Sequence, residues 1–241
     1  MRKPVTLSAP LWQLPAVALT PEQEAVALHA SREIGPVHGM IGLRAPREDS
    51  LPMALLHIPP TEHKPFQILV TAGMSARAMP VPDDVEDEAE HIELVLGLPP
   101  DWPVEDASPE KAWPLQLLAR LARFPSEAEA WLCPGHTIPN GNPPHPYASD
   151  TQLSCALIAP PLTLLPEAKT LAGPQGEVQL LAVVPVFERE VELKVEKGSD
   201  ELFSRLDEHG VTEILDPHRR AVAGGTLFDL LDEKAVKTNE S

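Results

Sequence analysis

Proline sets the first limit on what this chain can become. It occurs 29 times in 241 residues, roughly twice its usual frequency of about 5%. Each proline removes a backbone donor and breaks a helix interior, so such a chain favours short elements joined by rigid connections. Hydrophobic residues make up 43% and charged residues 23%, enough apolar material to fill a core in one large or two small domains.

The punctuation outlines the elements. Thr20-Pro21-Glu22-Gln23 combines a capping threonine, a proline at the first helical position and a glutamine three residues after the cap. A helix is therefore expected to Ile34, stopped by Gly35-Pro36. Residues 37–43 and 51–58 read as paired strands around a polar turn at 46–49, and residues 66–71 as a third strand. The acidic run 83–90 leads into a strand at 91–96. Ser108-Pro109-Glu110 caps a leucine-rich helix whose start could also lie near Trp113, because Pro114 follows. Phe124-Pro125 is expected to kink or end that helix.

Strands are expected at 152–159, with a short extension at 163–165, and at 178–187, the most apolar stretch and so a central strand. Residues 188–194 read as its continuation in alternating charge, and Ser199 to His209 as a final helix closed by Gly210. With no internal repeat, heptad or linker, the expectation is α+β: a single domain over residues 1–222, a mixed, mostly antiparallel sheet with packed helices, and a tail at 223–241.

Charge narrows the partners. A net charge of −17 is the wrong sign for displacing counterions from phosphates, which excludes ordinary nucleic-acid binding. A basic protein would be steered toward such a surface. Two cysteines, Cys133 and Cys155, make no disulfide framework, so a reducing cytoplasm is expected. Arg2 and Lys3 precede apolar residues, but Pro10, Gln13 and Pro15 interrupt any export signal. No run approaches the ~20 apolar residues of a membrane span.

Candidate chemistry is concentrated in residues 113–150, WPLQLLARLARFPSEAEAWLCPGHTIPNGNPPHPYASD. Cys133, His136 and His145 are plausible zinc ligands in type, which makes a metal-dependent enzyme the alternative reading. Their spacing repeats no known site, and no orienting acid accompanies Cys133 and His136 as a nucleophile and base. There is no phosphate loop, GxGxxG or GxSxG, so neither a catalytic residue nor a cofactor is expected. Asn140-Gly141-Asn142 adopts positive φ at low cost, while Pro139, Pro143, Pro144 and Pro146 limit the loop's entropy. A loop ordered in advance suits surface presentation, although a rigid crossover in a structural scaffold subunit is also open.

Several ordered segments resemble the Suppressor of fused (SUFU) family, as a bacterial single-domain member. They are ILVTAGMSARAMPVP at 68–82, HIELVLGLPPDWP at 91–103 and WPLQLLARLARFPSEAEAWL at 113–132. GHTIPNG at 135–141, PYASDTQLSCALIAPP at 146–161 and VTEILDPHRRAV at 211–222 complete the set, so the resemblance is clearest over 51–222. The family implies an α+β domain, no catalysis, and sequestration of a protein partner. Its animal members add a C-terminal domain and hold an extended peptide of Gli-type transcription factors by strand addition.

The resemblance places partner binding at Phe124 and at Gly135 and His136; the loop residues Asn140 and Tyr147 complete the candidate surface. Phe124 has no hydroxyl where those relatives carry one, and no acidic residue stands between Gly135 and His136. Bacterial relatives are regarded as immunity proteins of polymorphic toxin systems. Strong acidity suits neutralising a basic toxin.

Overall fold

The computed structural model describes residues 19–43, 50–85 and 88–223. The turn at 46–49, the export-like start and the tail from Gly224 lie outside them. In chain order the elements are α1 (Pro21–His29), a π-helical turn (Ala30–Ile34), β1 (Gly39–Leu43), β2 (Met53–Ile58), β3 (Gln67–Ala72), β4 (Ile92–Leu98) and α2 (Pro109–Ala128). Then come β5 (Thr137–Pro139), β6 (Cys155–Ala159), β7 (Thr170–Gly173), β8 (Gly176–Val186), α3 (Glu188–Lys197) and α4 (Ser199–Glu208). Among the described residues the sheet runs β1-β2-β3-β4-β8-β6-β5, with β7 also on β8. Only β4 and β8 pair in parallel; the other pairs are antiparallel. The expected α+β architecture is what forms, with the apolar strand β8 in the sheet interior.

Alternation along the strands builds both faces. Leu55, Leu69, Leu94, Leu96 and Val183 face α2, whose Leu118 and Leu121 are fully buried. The other face is split. Leu56, Ile68, Val70 and Leu180 meet Val26, Ala30 and Ile34 of the first helix and its π turn, while Cys155, Leu157, Val184 and Val186 meet Leu193, Leu202 and Leu206 of α3 and α4. Helix α1 starts as its residues require. Thr20 Oγ1 accepts the Gln23 N–H at 3.2 Å, and Gln23 Oε1 accepts the Thr20 N–H at 3.1 Å.

The structure corrects the sequence expectations at four places. Helix α2 is continuous from Pro109 through Pro114 and Pro125, so neither proline starts or ends it. Both prolines are buried on its apolar face with Trp113, Leu117, Leu118 and Leu121. Roughly 1.5–3 kcal/mol for each large side chain so buried outweighs about 3 kcal/mol per interior proline. Residues 188–194 are helical and do not extend β8. Strand β6 begins at Cys155, three residues later than expected, and the expected extension at 163–165 does not form: residues 162–164 are a bend, because Glu213 takes both the N–H and the hydroxyl of Thr163. The short strands β5 and β7 went unread, since each is too brief to show a period.

Helix α3 shows how tertiary contacts override a pattern. Val191, Leu193 and Val195 alternate as a strand would, yet Val195 is 81% exposed. Glu190 decides the conformation. It is fully buried, accepts the Phe187 N–H at 2.9 Å and the Val222 N–H at 2.8 Å, and pairs with both terminal nitrogens of Arg219 at 2.7 and 2.6 Å. Glu188 and Glu190 in the first turn and Lys194 and Lys197 in the last complement the helix dipole.

Two further buried carboxylates act as clasps. Glu213 accepts from the N–H groups of Leu162 and Thr163 and from the Thr163 hydroxyl. Next to it Gly97 bridges Ile214 in parallel, and a Cβ on Gly97 would lie 3.0 Å from the Ile214 Cα. Glu93, wholly inside, accepts from Thr71, from the Gly73 N–H and twice from Ser75. Burial pushes its carboxyl above the usual range, and those hydrogen bonds oppose the shift.

Candidate functional surface

The surface is assembled from α2, the edge strand β5 and the loop of residues 140–154. On α2, Trp113 is buried, meets Trp102 edge-on at 6.5 Å and stacks on Tyr147 at 5.0 Å with an interplanar angle of 4°. Arg120, two turns later on the same face, donates to Asn140 Oδ1 at 2.8 Å and sets its guanidinium 5.9 Å from the Tyr147 ring. These contacts tie Asn140 and Tyr147 to one helix. Burial pushes the Tyr147 phenol well above its ordinary pKa.

Asn140 also closes the loop on itself. Its Nδ2 donates to the His145 carbonyl at 2.8 Å, and its own carbonyl accepts the His145 N–H at 3.1 Å. Gly141 has φ +98°, and a Cβ there would lie 2.6 Å from the His145 ring, so only glycine fits. The Asn142–Pro143 peptide is cis. Farther along, the Tyr147 N–H reaches the Leu153 carbonyl at 3.0 Å.

Gly135 and His136 stand at the start of β5. Gly135, at φ +92°, donates its N–H to Ile158 at 2.8 Å and leaves no room for a Cβ beyond 3.1 Å from Ser199 Oγ. The His136 ring lies edge-on to Trp131 at 4.6 Å, with Nδ1 3.2 Å from the Trp131 carbonyl. Phe124 sits one turn beyond Arg120 and packs partly buried against the core. No hydrogen bond or ring contact joins it to His136 among the described residues. The candidates therefore form two groups, Asn140 with Tyr147 and Gly135 with His136, with Phe124 apart on α2.

Strand β5 ends the sheet on this side. The His136 carbonyl accepts the Ile158 N–H of β6 and Asn140 donates its N–H to Ser154, the residue just before β6, so by alternation the main chain of Thr137 and Pro139 faces away from it. Pro139 has no N–H to offer there, which limits the edge. A cleft of about 410 Å³ lies between Pro144, Pro146, Gln152 and Ser154 of the loop and Phe187, Glu188, Arg189 and Glu192 around the start of α3. Trp113, Arg120 and these α3 residues were missed from the sequence. The seven-residue spacing of Trp113 and Arg120 on one helical face was the available signal.

The metal-enzyme alternative gains no support from this geometry. The Cys133 thiol lies 3.6 Å from the Pro134 carbonyl, and burial pushes its pKa to about 11, the opposite of what a nucleophile or ligand needs. Burial also raises that of Cys155. His136 Nδ1 lies 3.2 Å from the Trp131 carbonyl, and the His145 ring lies beside Gly141. Among the described residues no group of three or more His, Cys, Asp or Glu is placed to hold a metal ion. None of their helices is long and apolar enough to cross a membrane.

Comparison with known proteins agrees with the fold. A suppressor-of-fused homologue from Neisseria gonorrhoeae superposes with a TM-score of 0.61 at 15% identity, covering 85% of this chain and 98% of that one. The structure of a Sufu–Fu complex matches at 0.60 and 18% identity, over 90% of this chain and 96% of the other. Drosophila Suppressor of Fused matches at 0.59 and 17% identity, over 91% of this chain and 54% of its own. No curated protein matches. Residues 49–220 match the family described as Suppressor of fused protein (SUFU), and the chain belongs to that family.

Proposed function

We propose that this chain is a non-enzymatic binding protein that sequesters or neutralises a protein partner, and that its partner is the toxin of a bacterial polymorphic toxin system. The single observation that carries the reading is the pairing of a sheet edge, β5, with a loop that is already clasped by Asn140, Arg120 and the Trp113–Tyr147 stack. Such a surface loses little entropy on association, and an exposed edge offers main-chain bonds to an extended segment. The solved relative captured with Fu supports protein binding as the use of this fold. The net charge of −17 favours a basic partner and speeds its approach.

In this reading residues 1–222 act as one binding domain with 223–241 as a tail, working in the cytoplasm, where the buried thiols of Cys133 and Cys155 stay reduced. Phe124, Gly135, His136, Asn140 and Tyr147 form the contact surface. The test is co-expression with the toxin encoded beside it, comparing wild type with a Phe124→Leu/His136→Gln double variant whose melting curve is checked first. Wild type should rescue growth and bind the toxin, and the folded variant should bind at least tenfold more weakly. Unchanged binding by the variant rejects the surface, and a neighbouring toxin left unbound rejects the immunity role.

A further inference from the structure

The cleft beside β5 carries a more specific statement about the partner. Its walls are unlike each other. On one side stand the pyrrolidine rings of Pro144 and Pro146, on the other the Phe187 ring and the exposed first turns of α3. Arg219 and Arg189 lie over the Phe187 ring at 4.8 and 5.7 Å. Glu188 and Glu192 both line the cleft and both are exposed. Two carboxylates against the one lining guanidinium, Arg189, leave the cleft net negative, as is the molecule as a whole.

Spacing adds to charge. Residues four apart on a helix have side chains about 5–6 Å apart at Cβ. In an extended strand, side chains on one face recur every two residues, about 6.6 Å. Glu188 and Glu192 are four apart on α3, so the carboxylate pair matches cations at alternate positions of an extended chain. The intervening residue of that chain would point to the opposite face, as strand geometry demands.

We infer that the cleft between the 144–154 loop and α3 is a subsite for an extended basic segment of the partner protein, with cationic side chains at alternate positions seated against Glu188 and Glu192. It rests on the protein-binding reading above and adds residues that reading does not use. The proline and phenylalanine walls cover the aliphatic stems of the cations, while the carboxylates meet the charged heads. The spacing of the two carboxylates lets the subsite select the partner's sequence pattern, while the remaining acidic surface supplies general attraction.

The experiment is fluorescence anisotropy with a short labelled peptide of alternating arginine and valine, and with a second peptide carrying the same composition with its arginines adjacent. Three proteins are titrated: wild type, Glu188→Gln/Glu192→Gln, and Glu196→Gln/Glu208→Gln, which removes the same charge from exposed positions outside the cleft. The first variant should bind the alternating peptide at least tenfold more weakly, the second within twofold of wild type, and wild type should prefer the alternating to the blocked peptide.

No binding by wild type, equal losses in both variants, or no loss in either overturns the subsite. All four substituted side chains are exposed, so both variants should fold; losing the Glu188 charge from the first turn of α3 costs the first variant little stability, and circular dichroism checks it. Should the subsite fail while a toxin still binds in a Phe124- and His136-dependent way, the broader reading survives. Should the peptide bind as expected with no toxin bound, the broader reading is the one that fails.

Discussion

Replacing Arg219 with alanine should be among the most damaging single changes outside the apolar core. The Glu190 side chain has no solvent exposure and that of Arg219 only 9%; they meet through two contacts of 2.7 and 2.6 Å. Arg219 also donates to the Pro185 carbonyl at 3.1 Å and covers the Phe187 ring. Alanine removes all of this and leaves a buried carboxylate with, among the described residues, the N–H groups of Phe187 and Val222 alone. Breaking a buried pair from one side costs roughly 3–5 kcal/mol, because the remaining charge is uncompensated.

At about 2–4 °C per kcal/mol for a chain of this size, Tm should fall by roughly 6–20 °C. Urea unfolding gives the free energy. Hydrogen exchange locates it: the Val222 amide should lose protection before the β8 amides do. Replacing both partners, as Glu190→Leu/Arg219→Leu, should cost less than the sum of the single changes, since no lone charge remains. A loss below about 1 kcal/mol for Arg219→Ala would refute the argument, showing that Glu190 finds water at little cost.

Other substitutions probe the loop and helix end. Among the described residues the buried Tyr147 hydroxyl has no hydrogen-bond partner, so Tyr147→Phe should change urea stability by no more than about 0.5 kcal/mol or raise it; a loss above 1 kcal/mol would mean an ordered water satisfies it. Asn140→Ala removes the clasps to Arg120 and His145 and should cost about 1–2 kcal/mol, with faster amide exchange at His145. Glu129, ending α2 at φ 49° and ψ 46°, is exposed and left-handed, so Glu129→Gly should raise stability by about 0.5–1 kcal/mol. With its pKa pushed to about 11, Cys133 should resist iodoacetamide at pH 8 and react only as pH rises toward that value; rapid alkylation at pH 8 would contradict the burial.

Local chemistry determined much of the outline on its own. The Thr20–Gln23 capping box, the apolar run that became β8, the helix Ser199–Glu208 and the strands at 53–58 and 67–72 all follow from rules spanning a few residues. The Asn-Gly-Asn loop with its prolines was legible as a rigid unit for the same reason. Long-range pairing decided the rest. Glu190 turns an alternating stretch into α3 because Arg219, 29 residues away, supplies its counter-charge.

Packing against the sheet carries α2 through two prolines that local rules would place at its ends. The candidate surface divides in the same way. Gly135, His136 and Asn140 belong to a recognisable segment, but the cleft exists only because α3 comes to lie opposite residues 144–154. Propensity and capping act over one or two turns of chain, whereas the partners of a buried charge, or the two walls of a cleft, are chosen by where the sheet brings distant segments together.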